Sequence, residues 1–251
     1  MIRSVTFLTA IVVLALVVGG AALAKDVQCK LNVQCNGTNN ADRLIGTNGP
    51  DNMSALKGND VLKGRSGDDN AMRGDQGSDR LLGGPGVDHI VGGSGRDVLK
   101  GGGGFDHYVF GQNWGKETIV DTRILDNDLN TGHFVRFDSV RDDLTIDLNS
   151  GLGPEVKNKS KTSTLNWSDD LIDGVDNDGK GNDTIIGRDV ADNLQPSAGG
   201  SDKVFGRGGN DFIYTADGVG NDQIDCGSGD NDELRKDGGD TYSNCEHVQV
   251  F

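Results

Sequence analysis

The stretch GDQGSDRLL-GGPGVDHIV-GGSGRDVLK-GGGGFDHYV, residues 74–109, decides the fold. Each block of nine has glycine at positions one and four, aspartate at position six and a large apolar residue at position eight. Four blocks precede it (GTNNADRLI, GTNGPDNMS, ALKGNDVLK and GRSGDDNAM), with Arg73 as one extra residue in between. A second array starts at Asp178 with DGKGNDTII. A unit this short buries too little by itself, so the units must stack on one another.

Two positions of the repeat carry its chemistry. The sixth position is aspartate in thirteen blocks: Asp42, Asp51, Asp60, Asp69, Asp79, Asp88, Asp97, Asp106, Asp183, Asp192, Asp202, Asp211 and Asp222. The eighth position, predicted to fill the core, holds Leu44, Met53, Leu62, Ala71, Leu81, Ile90, Leu99, Tyr108, Ile185, Leu194, Val204, Ile213 and Ile224. Asp232 fits a degenerate last loop.

Composition narrows the alternatives. Of 251 residues, 40 are glycine, 34% are hydrophobic and only 5% are aromatic, which is too little for a conventional core. Only 4 residues are proline, which excludes collagen. The formal net charge of −15 argues against nucleic acid and anionic membranes as partners and favours cations.

The aspartates predict a bound cation. Two nonapeptides would form one coil of a right-handed parallel β-solenoid, with coils ~4.8 Å apart. Carboxylates stacked ~5 Å apart repel by ~3 kcal/mol at an effective dielectric constant of ~20, whereas a coil that buries two apolar side chains gains only ~3–6 kcal/mol. Ca²⁺ accepts six to eight oxygens in flexible geometry, so aspartate carboxylates and carbonyls of the glycine loops could bind several ions.

The arrays resemble the repeats-in-toxin, or hemolysin-type, calcium-binding repeats. The resemblance covers about residues 37–110 and 178–232 and implies an all-β, right-handed parallel β-roll. Besides the aspartates, it implies calcium-binding loops at the most regular glycines, namely Gly83, Gly84, Gly86, Gly92, Gly93, Gly95, Gly101, Gly102 and Gly104.

Several loops depart from the family pattern. Those beginning at Ala55 and Ser197 lack the first glycines, Pro50 and Phe105 occupy fifth positions, and Ala71 is a small core residue. Classical members also have no amino-terminal signal and almost no cysteine, so the chain looks more like small Sec-exported bacterial calcium-binding proteins.

The first 24 residues predict export. Arg3, the apolar run Ile11–Val18 and Ala22-Leu23-Ala24 have the pattern of a cleaved secretory signal. The alternative is an uncleaved membrane anchor over Val5–Ala24. With cleavage, we expect a secreted protein that does not insert into membranes.

Four cysteines in an exported chain predict two disulfides. Three pairings are possible, and the positions favour neighbours, Cys29–Cys35 and Cys226–Cys245, each clipping one end of the arrays. A zinc site is disfavoured because no C-x-x-C is present.

The chain therefore divides into a signal at 1–24, a disulfide-clipped cap at 25–36, a calcium-binding array at 37–110, metal-poor coils or an insert at 111–177, and a second array with a clipped cap at 178–251. In the middle, alternating segments at 133–138 and 144–148 predict strands, with a flexible linker over 151–163 as the alternative. Asp176–Gly179 resembles an EF-hand start, but Gly174 replaces its first aspartate.

No catalytic motif accompanies the repeats. No histidine is followed by glutamate, which excludes H-E-x-x-H, and no G-x-S-x-G occurs. His89 and His107 are predicted to face solvent. We therefore expect a non-enzymatic, secreted calcium-binding solenoid, structural or adhesive. The alternatives are a module that binds extracellular polysaccharide or a cell surface, suggested by Trp114, Trp167 and Lys157–Lys161, and a polysaccharide-modifying enzyme.

Overall fold

The computed structural model describes residues 25–120, 133–138, 140–148, 156–158, 164–166, 172–196 and 199–251. The signal predicted at 1–24, Trp167 and most of the predicted linker lie outside these ranges. Across the described residues, no helix is long and apolar enough to cross a membrane.

The described chain is built from short strands. They are β1 (Lys25–Gln28), β2 (Cys35–Asn36), β3 (Asp42–Ile45), β4 (Asn52–Ser54), β5 (Val61–Lys63), β6 (Ala71–Gly77), β7 (Arg80–Pro85), β8 (His89–Gly95), β9 (Val98–Gly103), β10 (His107–Val109), β11 (Lys116–Ile119), β12 (His133–Arg136), β13 (Leu144–Asp147), β14 (Val156–Asn158), β15 (Thr164–Asn166), β16 (Ile172–Asn177), β17 (Thr184–Ile186), β18 (Asn193–Leu194), β19 (Lys203–Phe205), β20 (Phe212–Tyr214), β21 (Gln223–Asp225), β22 (Glu233–Lys236), β23 (Thr241–Ser243) and β24 (His247–Val250).

These strands form two long sheets. Sheet A has the order β1-β3-β5-β7-β9-β11-β15-β14-β13-β17-β19-β21-β23, and sheet B has β2-β4-β6-β8-β10-β12-β16-β18-β20-β22-β24. Pairing within the arrays is parallel, and Leu81 of β7 faces Leu99 of β9, one coil or 18 residues later. Two nonapeptides thus make one coil, and the predicted all-β parallel solenoid is confirmed.

The core is a narrow stack between the sheets. Twelve of the thirteen predicted eighth-position residues are buried, from Leu44 to Ile224. Ala71 is the exception, and that prediction is wrong. Met72 is fully buried and pairs with Met53, whereas Ala71 is half-buried. The extra residue therefore lies between Asp69 and the core position, and not at Arg73.

The middle of the chain also contributes to both sheets. β12 and β16 continue sheet B in parallel, with register shifts between them. In sheet A, β14 pairs antiparallel with both β13 and β15, which makes it the reversed strand of the stack. Phe110, Trp114 and Phe137 form a buried aromatic cluster here, with ring centroids 5.3–6.3 Å apart.

A disulfide lies near each end of the stack. Cys29 pairs with Cys35, and Cys226 pairs with Cys245, which confirms the predicted pairing. The first bond links the chain just after β1 to β2, and the second links the end of β21 to the turn between β23 and β24. Each covalent bond therefore restrains terminal strands that have a neighbour on one side only.

Candidate metal centres

The thirteen predicted sixth-position aspartates are all buried, with at most 3% of each side chain exposed. Each lies at the point where a loop becomes a strand, and the residue two or three positions later enters the core. The register of the sheets then brings aspartates of successive coils onto one another along two edges of the solenoid.

Hydrogen bonds join these aspartates into ladders. In ten neighbouring pairs, the backbone N–H of one aspartate donates to Oδ1 of the aspartate one coil later, at 2.6–3.0 Å. One ladder runs from Asp42 through Asp60 and Asp79 to Asp97. These bonds hold Oδ1 of each accepting aspartate in place. The contacts of the other carboxylate oxygen, Oδ2, differ from loop to loop.

In eight of the thirteen loops, and also at Asp232 in the degenerate last loop, that second oxygen is buried without a hydrogen-bond partner in the described chain. The eight donor-free loops end in Asp60, Asp69, Asp79, Asp97, Asp183, Asp202, Asp211 and Asp222. Burial raises the pKa of Asp79 to about 7 and that of Asp211 to about 8, and stacked aspartates add to both shifts. A cation would relieve this energetic cost, since it replaces the missing donor and offsets the charge.

In three other loops, the second residue of the loop donates hydrogen bonds to the carboxylate of the loop's own aspartate. Oδ2 of Asp42 accepts the N–H and hydroxyl of Thr38, and Oδ2 of Asp51 accepts those of Thr47. In the third of these donor-filled loops, Arg188 donates its N–H to Oδ2 of Asp192, and its guanidinium Nε lies 2.6 Å from Oδ1. Asp88 and Asp106 have further contacts and belong to neither group.

The second residue of the loop separates the two groups. It has a left-handed φ of +68° to +107° in every donor-free loop whose second residue is described, including the non-glycine residues Leu56, Arg65, Asp75 and Arg207. Thr38, Thr47 and Arg188 have no such φ. A left-handed second residue reorients the local peptides, and none of these loops has the internal bond from its N–H to the aspartate.

The predicted glycines also fall into two sets. Gly83, Gly92 and Gly101 open their loops beside Oδ2 of their own aspartate, whereas Gly84, Gly86, Gly93, Gly95, Gly102 and Gly104 have φ of +107° to +143° and lie against the backbone of the preceding coil. At the equivalent Gly74, an added Cβ would lie 2.5 Å from the carbonyl oxygen of Gly92 and 2.6 Å from Oδ2 of Asp79. Carboxylate and carbonyl oxygens thus converge beside the loop, which is the donor set that suits Ca²⁺.

The nonapeptide pattern does not reveal Glu117, Asp240 and Glu246, which lie at the ends of the ladders. Glu117 is fully buried, and neither carboxylate oxygen has a partner among described residues. Burial, followed by the charge of Asp97, raises its pKa to about 10. At the other ends, Asp232 donates its N–H to Glu246, and Asp222 donates to Asp240. Only the strand register places these residues in the ladders.

Asp178 also joins the acidic residues. It occupies the first position of its loop, where the regular repeats have glycine, and it is fully buried. Ligand atoms of Asp178, Asp183 and Asp202 all lie within 4.8 Å of one another. Burial raises the pKa of Asp178 well above its usual value, and the charges of Asp202 and Asp183 raise it further.

Two other predictions concern the outer surface. Trp114 is only 2% exposed, so its suggested place in a sugar-binding stripe is wrong. His89 and His107 are half-buried on the outer face of sheet B, with ring centroids 4.8 Å apart, and are less solvated than predicted. The loop that begins at Ala55 lacks the first glycines of the repeat, yet its Asp60 is buried and donates its N–H to Asp79 like the other ladder residues.

Comparison with known families agrees with the geometry. Residues 36–71, 73–108 and 198–233 match the RTX calcium-binding nonapeptide repeat (4 copies). No curated protein matches the chain. The fold and the repeats together define a calcium-binding β-solenoid. The chain is a hemolysin-type calcium-binding repeat protein.

Proposed function

We propose that this protein is an exported, non-enzymatic solenoid with a structural or adhesive role, and that Ca²⁺ between stacked donor-free loops holds it folded. The main support for this proposal is the set of eight buried aspartates whose Oδ2 atoms have no hydrogen-bond partner in the described chain. Leaving so many buried carboxylates uncompensated costs several kcal/mol. The three donor-filled loops, by contrast, need no ion.

Two features support export and the absence of catalysis. Two disulfides suit an oxidising compartment, in agreement with the signal predicted at 1–24. The strongly shifted carboxyl groups stand in the ladders, where a metal role accounts for their burial. Amino-terminal sequencing of protein from the culture medium should begin at Lys25, and a chain beginning at Met1 would contradict cleavage.

A calcium titration tests the central proposal. We expect the purified protein, freed of calcium at pH 7.5, to lack most of its β-structure by circular dichroism. It should fold cooperatively as Ca²⁺ reaches roughly 0.1–1 mM, the range of extracellular modules, with calorimetry reporting several bound ions. Full β-structure without calcium and no heat of binding would overturn the proposal.

A further inference from the structure

The first loop of the second array carries a fully buried carboxylate, Asp178, at its first position. In regular loops the first residue is glycine, and a Cβ built there points at Oδ2 of the loop's own aspartate, as at Gly74 and Gly187. Asp178 stands at this position. Its side chain is therefore directed at Asp183 by the same geometry that leaves room only for a hydrogen in the regular loops.

The other two carboxylates of the cluster are held in place by backbone donors. Oδ1 of Asp183 accepts the N–H of Leu144 at 2.6 Å, and Oδ1 of Asp202 accepts the N–H of Asp183 at 2.8 Å. Oδ2 of each, and both oxygens of Asp178, are buried without a hydrogen-bond partner in the described residues. Four oxygens of the three carboxylates therefore lack a hydrogen-bond donor, one ligand atom of each residue lies within 4.8 Å of those of the other two, and no described basic side chain is paired to them.

We propose that Asp178, Asp183 and Asp202 form a three-carboxylate calcium site that is distinct from the two-aspartate sites of the regular repeats and fills before them. This rests on the proposed function, since it assigns one site of the solenoid its own ligand set. A further charged ligand strengthens binding, because charge count and rigidity tune calcium affinity. The site also lies where β16 leads into β17, so its ion fixes the first coil of the second array.

The test uses the full protein and Ca²⁺ alone, in competition with a chromophoric chelator that resolves the tightest class of sites. Asp178→Asn keeps the shape and removes the charge, and we expect the tightest class to weaken about tenfold. Asp178→Gly restores the first residue of the regular repeat, so it folds as an ordinary loop and should show the same loss. Weaker sites should keep their affinity in both variants.

Asp189 provides a control that loses the same charge. Its side chain is 70% exposed, and Nε of Arg207 lies 3.0 Å from its Oδ1. Asp189→Asn should leave the tightest class within about twofold of the parent, because water screens its charge. Equal tightest affinities in the parent and both Asp178 variants would overturn the three-carboxylate site, because a proton or a basic side chain would then neutralise the cluster. Absence of calcium binding in the parent would instead overturn the proposed function.

Discussion

Loop 46–51 and loop 74–79 place an aspartate at the same point of the solenoid, but they differ in whether a group of the loop donates to its second oxygen. Oδ2 of Asp51 accepts the N–H of Thr47 at 2.6 Å, whereas Oδ2 of Asp79 has no partner in the described chain. Asp75, the residue equivalent to Thr47, has a φ of +68°. The sixth residue thus sets where the carboxylate lies, and the conformation of the second residue distinguishes loops that donate to it from loops that do not. In the latter we propose that a cation takes the place of the donor.

The largest expected effect is a dependence of folding on pH, caused by the aspartates of the donor-free loops. In the folded state, burial raises the pKa of Asp60 to about 6, of Asp69 and Asp79 to about 7 and of Asp211 to about 8, against 3.8 when exposed. The folded state therefore binds more protons than the unfolded one between about pH 4 and 8. Calcium-free protein should lose stability as pH rises through this window and regain it on acidification.

Circular dichroism of calcium-free protein from pH 8 to 5.5 measures this effect. We expect β-structure to increase toward pH 5.5, and half-folding to need less Ca²⁺ at pH 6 than at pH 8, because protons and the ion stabilise the folded state at the same carboxylates. Calcium-free protein that is least ordered at pH 5.5 would show that the donor-free aspartates are not the groups that prevent folding.

The next largest effect concerns Arg188, the internal cation of a donor-filled loop. Arg188→Gly restores the glycine of a regular repeat but leaves Asp192 buried without its guanidinium, a loss of about 3–5 kcal/mol when nothing replaces it. We expect the thermal midpoint to fall at limiting Ca²⁺ and to recover at saturation, with one more ion bound by calorimetry.

Arg207→Gly is the matched control for this substitution. Arg207 is also a second residue, but its Nε contacts the exposed Asp189 at 3.0 Å and its φ is +76°. The number of bound ions should not change in this variant. An unchanged number of ions in Arg188→Gly as well would show that the second residue does not decide between donor and cation.

A smaller effect is expected from single ligands. In Asp79→Asn, the amide oxygen can still accept the N–H of Asp60, but the amide nitrogen faces the region where Oδ2 would bind the ion. We expect about tenfold more Ca²⁺ at half-folding. In Asp51→Asn the amide oxygen can keep the bond from Thr47, so the midpoint should move less than twofold.

His89→Ala supplies a second control, because it alters a half-buried outer side chain outside the ladders. Calcium titrations followed by circular dichroism compare all four proteins. Coincident midpoints for Asp79→Asn and Asp51→Asn would remove the distinction between donor-free and donor-filled loops.

The sequence predicts the solenoid well because the period of nine assigns both the core and the carboxylates. It fails at Ala71, since counting cannot locate an extra residue that the sheet register places before Met72. Glu117 has no repeat around it, and only the pairing of Thr118 with Val98 brings it beside Asp97. These features depend on contacts between coils, which a local pattern does not contain.

The division between the two kinds of loop was also beyond the sequence. Arg65 and Arg188 both stand at a second position, yet Arg65 has a φ of +86° while Arg188 pairs with its own aspartate. Residue type alone does not distinguish them. What differs is the backbone conformation of each loop, which the stacked coils fix together.

The smallest expected effect tests that conformation directly. Leu56 is solvent-exposed and occupies the second position of a donor-free loop. Its φ of +76° costs a non-glycine residue about 1 kcal/mol. Leu56→Gly removes this strain, so the loop should reach its calcium-binding form more easily. Its greater freedom in the unfolded chain offsets part of the gain. We expect half-folding at up to about threefold lower Ca²⁺.

Thr47→Gly makes the same replacement in a donor-filled loop and should act in the opposite direction. Glycine removes the hydroxyl that bonds Asp51 and loosens the backbone that presents its N–H, so this loop should come to need calcium and the midpoint should rise. Titrations of the two variants, run side by side with the parent, compare the signs. If both substitutions moved the midpoint the same way, glycine content alone would explain the result. Opposite signs are expected only if the second residue's conformation assigns each aspartate either to an internal donor or to an ion.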